Sequence, residues 1–388
     1  MAIVLFDNAQ RTKLFPLTAT KAVADLRIGI LKIKEYWQLV SKEKVFVHTA
    51  DYLQCLYEKI PNEQHVWIDA SIVPNEQLVH QILALENGTT LVDDAGLIAA
   101  NLLADTANFS AKKILQVVES TVNTITVQRI EWPHDLFQLN DVFIRLHFDL
   151  ITRGRTSQPI SSTNQFSQSQ NIFIEEGAVV EYALLNASTG SIYIGKNAVI
   201  MEGAVIRSSL ALLDKAVIKM GAKIYGATTI GVQAVAGGEI KNAIISDFSN
   251  KAHDGYLGDS VLGEWCNLGA GTSNSNIKNT AGDVKLWNYF VNNYISAGQK
   301  CGFIMGDFSR AAINSSINTG SSIGVSCNVF GEGLLPTLFN HFSWGSKHLS
   351  KYVFEKAIAD INNWKKLKGK TISAEEISVL KYIFGTTP

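Results

Sequence analysis

The sequence predicts two architectures in one chain: an α/β domain with a mostly parallel sheet, then a left-handed parallel β-helix closed by C-terminal helices. Three observations carry this. Up to about residue 155, short β runs alternate with stretches of helical spacing. From residue 171, aliphatic residues recur every six positions, at Ile194, Ile200 and Ile206 and again at Ile218, Ile224 and Ile230. That period marks the flat faces of a three-sided coil, about eighteen residues per turn. Beyond residue 345 the beat stops and helical spacing returns.

In the first part, residues 2–6, 44–48, 66–68 and 90–92 read as strands. Residues 23–39 and 76–85 have apolar residues at helical spacing. Residues 124–130 add a further strand, and 136–150 read as a closing helix. Residues 152–170, TRGRTSQPISSTNQFSQSQ, are polar and poor in aliphatic residues, so they read as a surface connection. This divides the chain into an α/β domain over 1–155, a linker over 156–170, a solenoid over 171–335 and a helical extension over 336–388.

Each solenoid coil buries its apolar side chains only by stacking on its neighbours. About eight coils are expected at that length. Residues 251–276, KAHDGYLGDSVLGEWCNLGAGTSNSN, read as an interruption of the beat that brings in chemistry. Helices expected over 348–367 and 373–383 would cap the open end, where unpaired strand edges are a liability.

Among the 388 residues, 46% are hydrophobic and 18% charged, a folded, globular composition. Lys plus Arg is 34 and Asp plus Glu is 35, a net charge of -1. No broad basic field is available to displace counterions, so nucleic acid is not an expected partner. Cys55, Cys266, Cys301 and Cys327 show no metal-site spacing, and buried reduced thiols are expected. With no signal-like leader and no membrane span, the expected compartment is the cytoplasm.

The segment from Gly238 to Asn276 resembles the acetyltransferase half of the bifunctional enzyme that makes UDP-N-acetylglucosamine. EIKNAIISDFSNKAHDGYLGDSVLGEWCNLGAGTSNSN follows that family's order and spacing without a gap, and GAGT stands at Gly269 to Thr272. The resemblance implies His253 as the general base that takes a proton from the amine of an amino-sugar-1-phosphate, which then attacks the thioester of acetyl-CoA. It implies Lys241 and Tyr256 as contacts to the sugar phosphate, and Asn267 and Asn276 as contacts to the sugar or the reaction centre. Histidine suits the role, because its ordinary pKa near 6.5 leaves it free to accept a proton at neutral pH. Two departures stand out. Asp254-Gly255 replaces Leu-Ser or Leu-Thr. Lys219-Met220-Gly221 replaces an arginine-proline-glycine, which keeps the charge and loses the bidentate fork. The resemblance also implies a homotrimer, consistent with the low charge of the solenoid between Ile192 and Ile245.

The opening VLFDNAQRTKLFPLTATKAVADLRIGIL resembles the sugar nucleotidyltransferases at LFPLT, Leu14 to Thr18, and at ADLRIGI, Ala24 to Ile30. The resemblance implies transfer from UTP or another nucleoside triphosphate, with Arg11, Lys21 and Arg27 as nucleotide contacts. It implies Mg2+ held by an aspartate at a strand end, Asp69 first, with Asp93, Asp94 and Asp141 as further candidates. Asp7 and Asn8 stand where glycines would let backbone N–H groups reach phosphate. The segment from Trp132 to Leu136 is similar to a Tyr-Pro-Trp-Asp-Leu of divergent relatives, placed to join the domains or line the sugar site. The leading expectation is a bifunctional enzyme. An acetyltransferase with a degenerate N-terminal domain, and a noncatalytic solenoid scaffold, stand beside it.

Overall fold

The computed structural model describes residues 2–103, 109–346 and 348–387. The first strand, Ala2–Phe6, is buried along its whole length, as a continuous apolar run between parallel neighbours should be. It pairs in parallel with Val45–His48 on one side and His65–Asp69 on the other. The sheet continues through Gly96–Leu102, antiparallel to His65–Asp69, then Thr89–Asp93 and Glu119–Val122. The Gly96–Leu102 strand was not expected from the sequence. Of the 124–130 stretch, Gln128–Arg129 is strand, paired with Ile72–Val73.

The helix expected over 23–39 is shorter and begins at Ile33. Val23–Asp25 forms a single 3-10 turn. Arg27–Ile28 and Leu31–Lys32 then pair as an antiparallel ribbon. The cause is Gly29 at φ +63°, where a side chain would strike the backbone of Phe143. That turn presses against the helix Asp135–Thr152, which matches the expected closing helix.

The second part is a parallel β-solenoid with three faces. The first face runs from Gln165–Ser167 to Tyr256–Gly258. The second carries nine strands from Ile172–Ile174 to Leu338–Phe339. The third runs from Val179–Val180 to Ser343–Trp344 and ends on an antiparallel strand, Ser350–Lys351. The nine-stranded second face is one rung longer than expected. The six isoleucines that define the repeat share the interior, none more than 1% exposed.

Two segments differ from the sequence reading. Within the polar 156–170 stretch, Gln165–Ser167 already pairs with Leu184–Asn186. Side chains there replace a missing rung: Asn164 donates to the Val180 carbonyl at 2.7 Å and accepts from Ala183 N–H at 2.9 Å. The expected interruption at 251–276 is instead regular solenoid, because Leu257, Leu262 and Leu268 keep the interior aliphatic. The break comes later. Leu262 pairs directly with Met305, and the chain between them projects a hairpin, Lys285–Asn288 with Asn293–Ser296.

The N-terminal domain lies on the second face, with Ile30, Ile144 and Phe148 packed on Phe173, Tyr193 and Leu213. The helices Phe354–Lys366 and Ala374–Thr386 do not cap the open end as expected but pack along a corner of the solenoid, with Ile361 and Leu380 against Trp265, Phe308 and Phe342 from different rungs. The first of them starts six residues later than expected, at Phe354 rather than 348. Ser373 caps the second, accepting from Glu376 N–H at 3.1 Å. Cys266, Cys301 and Cys327 are buried free thiols, and burial pushes each up to about 12. Cys55 is free but exposed. Among the described residues no helix is long and apolar enough to cross a membrane.

Candidate active sites

A cleft of about 340 Å³ opens where Ala2–Phe6 and His65–Asp69 end. Phe6 and Asp69 are register partners, so Asp69 stands at the carboxyl edge of the parallel strands, where α/β sheets bind ligands. Asp69 Oδ2 accepts from Asn8 Nδ2 at 2.7 Å, and Oδ1 accepts from Ser71 N–H at 2.9 Å and Ser71 Oγ at 2.8 Å. Burial raises its carboxyl above the usual range despite these bonds. Asp94 and Arg129 share the cleft, and Arg129 is held 2.8 Å from Asp93. Asp141 lies elsewhere, with Arg145 at 3.0 Å.

Lys13 also lines this cleft. Its ammonium lies 4.8 Å from the Trp132 ring centre and 5.7 Å from that of Phe290. Phe290 is on the solenoid hairpin, and hairpin Asn288 donates to the Lys13 carbonyl at 2.8 Å. Glu131 lines the cleft, Trp132 reaches it only through Lys13, and Asp135 at the start of the following helix ties down the preceding turn, accepting from Trp132 N–H at 2.9 Å.

Of the three cations expected to hold nucleotide, Arg11 alone lines the cleft. Its guanidinium is already engaged, donating to the Thr18 carbonyl and to Tyr52 Oη at 3.2 Å, with Asp7 at 3.6 Å. Lys21 and Arg27 are taken to the domain junction. Lys21 lies 2.9 Å from Asp307 and 3.2 Å from Glu264, and Arg27 lies 3.2 Å from Asp247. All three acids belong to the solenoid, and a buried cation goes where a partner carboxylate offsets its desolvation. Asp7 is turned away from the cleft as well. It accepts from Val23 N–H at 2.9 Å and Thr49 Oγ1 at 2.5 Å, and burial lifts it to about 6.

The second candidate is an open groove of about 450 Å³ along the corner between the third and first faces. Successive corners contribute Lys219 and Met220, Gly238, His253 and Asp254, Gly271, and Asn314. Lys219 and His253 therefore line one groove, and His253 is exposed to it. The turn bearing His253 is tight. Gly255 has φ +117°, and a side chain at that position would run into the Thr272 carbonyl.

Around the corner, on the first face, Tyr256 lies over Gly258, the register partner of Lys241. Asn276 donates to Asp259 Oδ2, and Asn242 donates to Asp259 Oδ1 at 2.7 Å. Asp259 N–H in turn bonds the Lys241 carbonyl at 3.0 Å. Lys241, Tyr256 and Asn276 thus belong to one neighbourhood. Asn267 does not join it, because its strand is on the third face, in register with Asn250 and Arg310.

Sequence reasoning missed Asn8 as a partner of Asp69, Arg129 as a cleft cation, and Asp259 as the acid that orients two asparagines. Asp259 stood in view in the YLGD segment. It also missed Lys251, which is 1% exposed in a stretch read as an interruption of the repeat.

Comparison with known proteins separates the two parts of the chain. Residues 3–156 match the sugar nucleotidyl transferase family. The chain also resembles bifunctional protein GlmU of Trichodesmium erythraeum, 38% identical over 86 residues, which is 22% of this chain and 18% of that one. It resembles a bifunctional sugar-1-phosphate nucleotidylyltransferase/acetyltransferase of Sulfurisphaera tokodaii, 34% identical over 92 residues, 24% of this chain and 23% of that one. The matched stretch spans about a fifth of the length of these relatives. Among solved structures, the polysialic acid O-acetyltransferase OatWY aligns with 49% of this chain and 87% of its own, at 16% identity and a TM-score of 0.26. The cleft at Asp69 therefore lies within the part that matches a nucleotidyl transferase, and the groove at His253 lies outside it.

Proposed function

We propose that the chain acetylates an amino-sugar-1-phosphate, glucosamine-1-phosphate first, using acetyl-CoA, and transfers a nucleotidyl group from UTP to give UDP-N-acetylglucosamine or a related nucleotide sugar. The observation that carries the reading is the placement of Lys219 and His253 along one open groove, with Tyr256, Lys241 and Asn276 gathered on the adjoining face. Lys219 and Lys241 supply positive charge for a sugar phosphate. His253 accepts the proton of the substrate ammonium. The freed amine attacks the thioester carbonyl carbon, the C–S bond breaks, and the thiolate of CoA takes up a proton as it leaves.

In the N-terminal domain, Mg2+ is proposed at Asp69 and Asp94. Asp69 keeps lone pairs beyond those used by Asn8 and Ser71, and Mg2+ commonly takes one or two carboxylates plus substrate phosphates. Bound there it would neutralise charge on the triphosphate. Lys13 and Arg129 would then contact phosphate, in place of Lys21 and Arg27.

A homotrimer in the cytoplasm belongs to the same proposal. The N-terminal domain covers the second solenoid face from within the chain. The third face carries a ladder of register partners, Val179, Val199, Val217 and Val235, flanked by Tyr182 and Met220, which are 64% and 66% exposed. An apolar stripe beside the groove suits a second copy.

A second reading keeps the acetyl transfer and drops the nucleotidyl transfer. It is favoured by the engagement of Arg11, Lys21 and Arg27 in internal contacts. Two assays on the intact protein separate the readings. CoA thiol release with glucosamine-1-phosphate tests the groove. Pyrophosphate release from UTP with N-acetylglucosamine-1-phosphate and Mg2+ tests the cleft. Thiol release without pyrophosphate release would leave the second reading, and silence in both would leave the scaffold.

A further inference from the structure

The solenoid interior holds one residue that breaks its own pattern beside the groove. Val180, Ile200, Ile218, Ala236 and Lys251 are successive register partners in one column. Four are apolar and the fifth carries an ammonium that is 1% exposed as a residue. A charge placed in an aliphatic column loses its hydration, and among the described residues no carboxylate forms an ion pair with it. Three backbone carbonyls take that role: Gly237 at 3.3 Å, Asp254 at 3.3 Å, and His253. An ammonium has three protons to donate, and each has an acceptor. Two of these carbonyls belong to the turn whose side chain is His253, and the third belongs to the corner directly beneath it.

We propose that Lys251 is a positioning residue for His253, an internal cation that holds the carbonyls of the 252–255 turn inward and so sets the imidazole against the groove. The inference rests on the acetyl-transfer reading of that groove. The local packing supports it. Gly237 N–H donates to the Lys251 carbonyl at 2.6 Å, and Gly271 N–H donates to the Asp254 carbonyl at 3.1 Å. The rungs below and above thus grip the turn at its ends, while Lys251 grips its middle. A methionine in place of Lys251 would fill the same length without donors. The His253 carbonyl would then face an apolar interior unpaired, which backbone groups avoid, while the Asp254 carbonyl would keep only its bond from Gly271 N–H. The turn would rotate to hydrate the His253 carbonyl, carrying the imidazole with it. Lys251 does not touch the reacting atoms in this account.

The test compares wild type, K251M and K251Q in the full chain. Thiol release is measured with acetyl-CoA and glucosamine-1-phosphate, and thermal unfolding is measured alongside. Histidine carbon-13 spectra follow the His253 resonance, identified by its loss in H253Q among the eight histidines. The expected result is a kcat at least tenfold lower in K251M, with KM for the sugar phosphate within twofold of wild type and a shifted or split His253 resonance. K251Q, which restores part of the donation, should fall between. A purely structural role would make kcat follow thermal stability across the three proteins, and that ordering overturns the proposal. So does a K251M protein with wild-type kcat and an unmoved His253 signal. If K251M does not fold, K251Q carries the same comparison. If wild type releases no CoA, the acetyl-transfer reading fails and the resonance decides the clamp alone, altered in its favour and unchanged against it.

Discussion

Lys21 and Asp307 form a 2.9 Å ion pair that joins the N-terminal domain to the solenoid, with side chains 12% and 4% exposed. Thr20 Oγ1 donates to the same carboxylate at 2.6 Å. Removing one partner of such a pair leaves an uncompensated buried charge, typically about 3–5 kcal/mol. K21M should lower stability by an amount in that range, read from urea unfolding. The double variant K21M/D307N should lose less than the two single losses added. Strict additivity would show that the pair does not act as a unit.

Asp7 predicts a pH effect on stability. Burial holds its carboxyl at about 6, above the ordinary value of 3.8. The folded chain therefore binds more protons than the unfolded chain between those values. Its contribution is fully present below about pH 3.8 and is lost as pH rises through about 6. D7N should flatten that part of the curve of unfolding free energy against pH. An unchanged slope would place the titration on another group.

H253A should fold and assemble as wild type does, because His253 is exposed on its turn. Loss of a positioned base typically lowers rate by roughly 10²- to 10⁴-fold. Single-turnover thiol release should fall within that span. Wild-type turnover in H253A would remove the assigned mechanism.

G258A tests the sugar-phosphate side of the groove. A methyl group at 258 would occupy the place of the Tyr256 hydroxyl, so the ring must swing off Lys241's neighbour. KM for the sugar phosphate should rise severalfold with a smaller change in kcat. The opposite split, kcat down and KM steady, would assign Tyr256 to the chemical step instead.

Light scattering on V199K/V217K tests the open valine ladder. Two lysines on adjacent rungs place like charges side by side on an apolar stripe. Wild type is expected as a trimer and the variant as a monomer at micromolar concentration. A trimeric variant would move the contact to another surface.

Much of the fold was legible because it is periodic. Six isoleucines at a fixed interval have one structural solution, and all six are interior. The groove was legible in part, since Lys219 and His253 stand two rungs apart at the same corner and the repeat brings those corners into line. The nucleotide contacts were less so. Lys21 and Arg27 looked like phosphate ligands because they are cations in a loop, yet Glu264, Asp307 and Asp247 meet them from far along the chain. Nothing local to residues 21–27 signals those partners. Lys251 was missed for a related reason. A lysine among polar residues reads as solvated, and only the register with Ala236 places it inside.

The contact between the two parts also bears on how the chain is made. Leu17, Val23 and Leu136 share one apolar cluster with Ile244, Val261 and Ile304. During synthesis Leu17, Val23 and Leu136 emerge long before Ile304 does. The surface they form must wait, uncovered, until most of the solenoid has left the ribosome. The nascent N-terminal half is thus the stage at which a chaperone that holds exposed apolar surface would matter most.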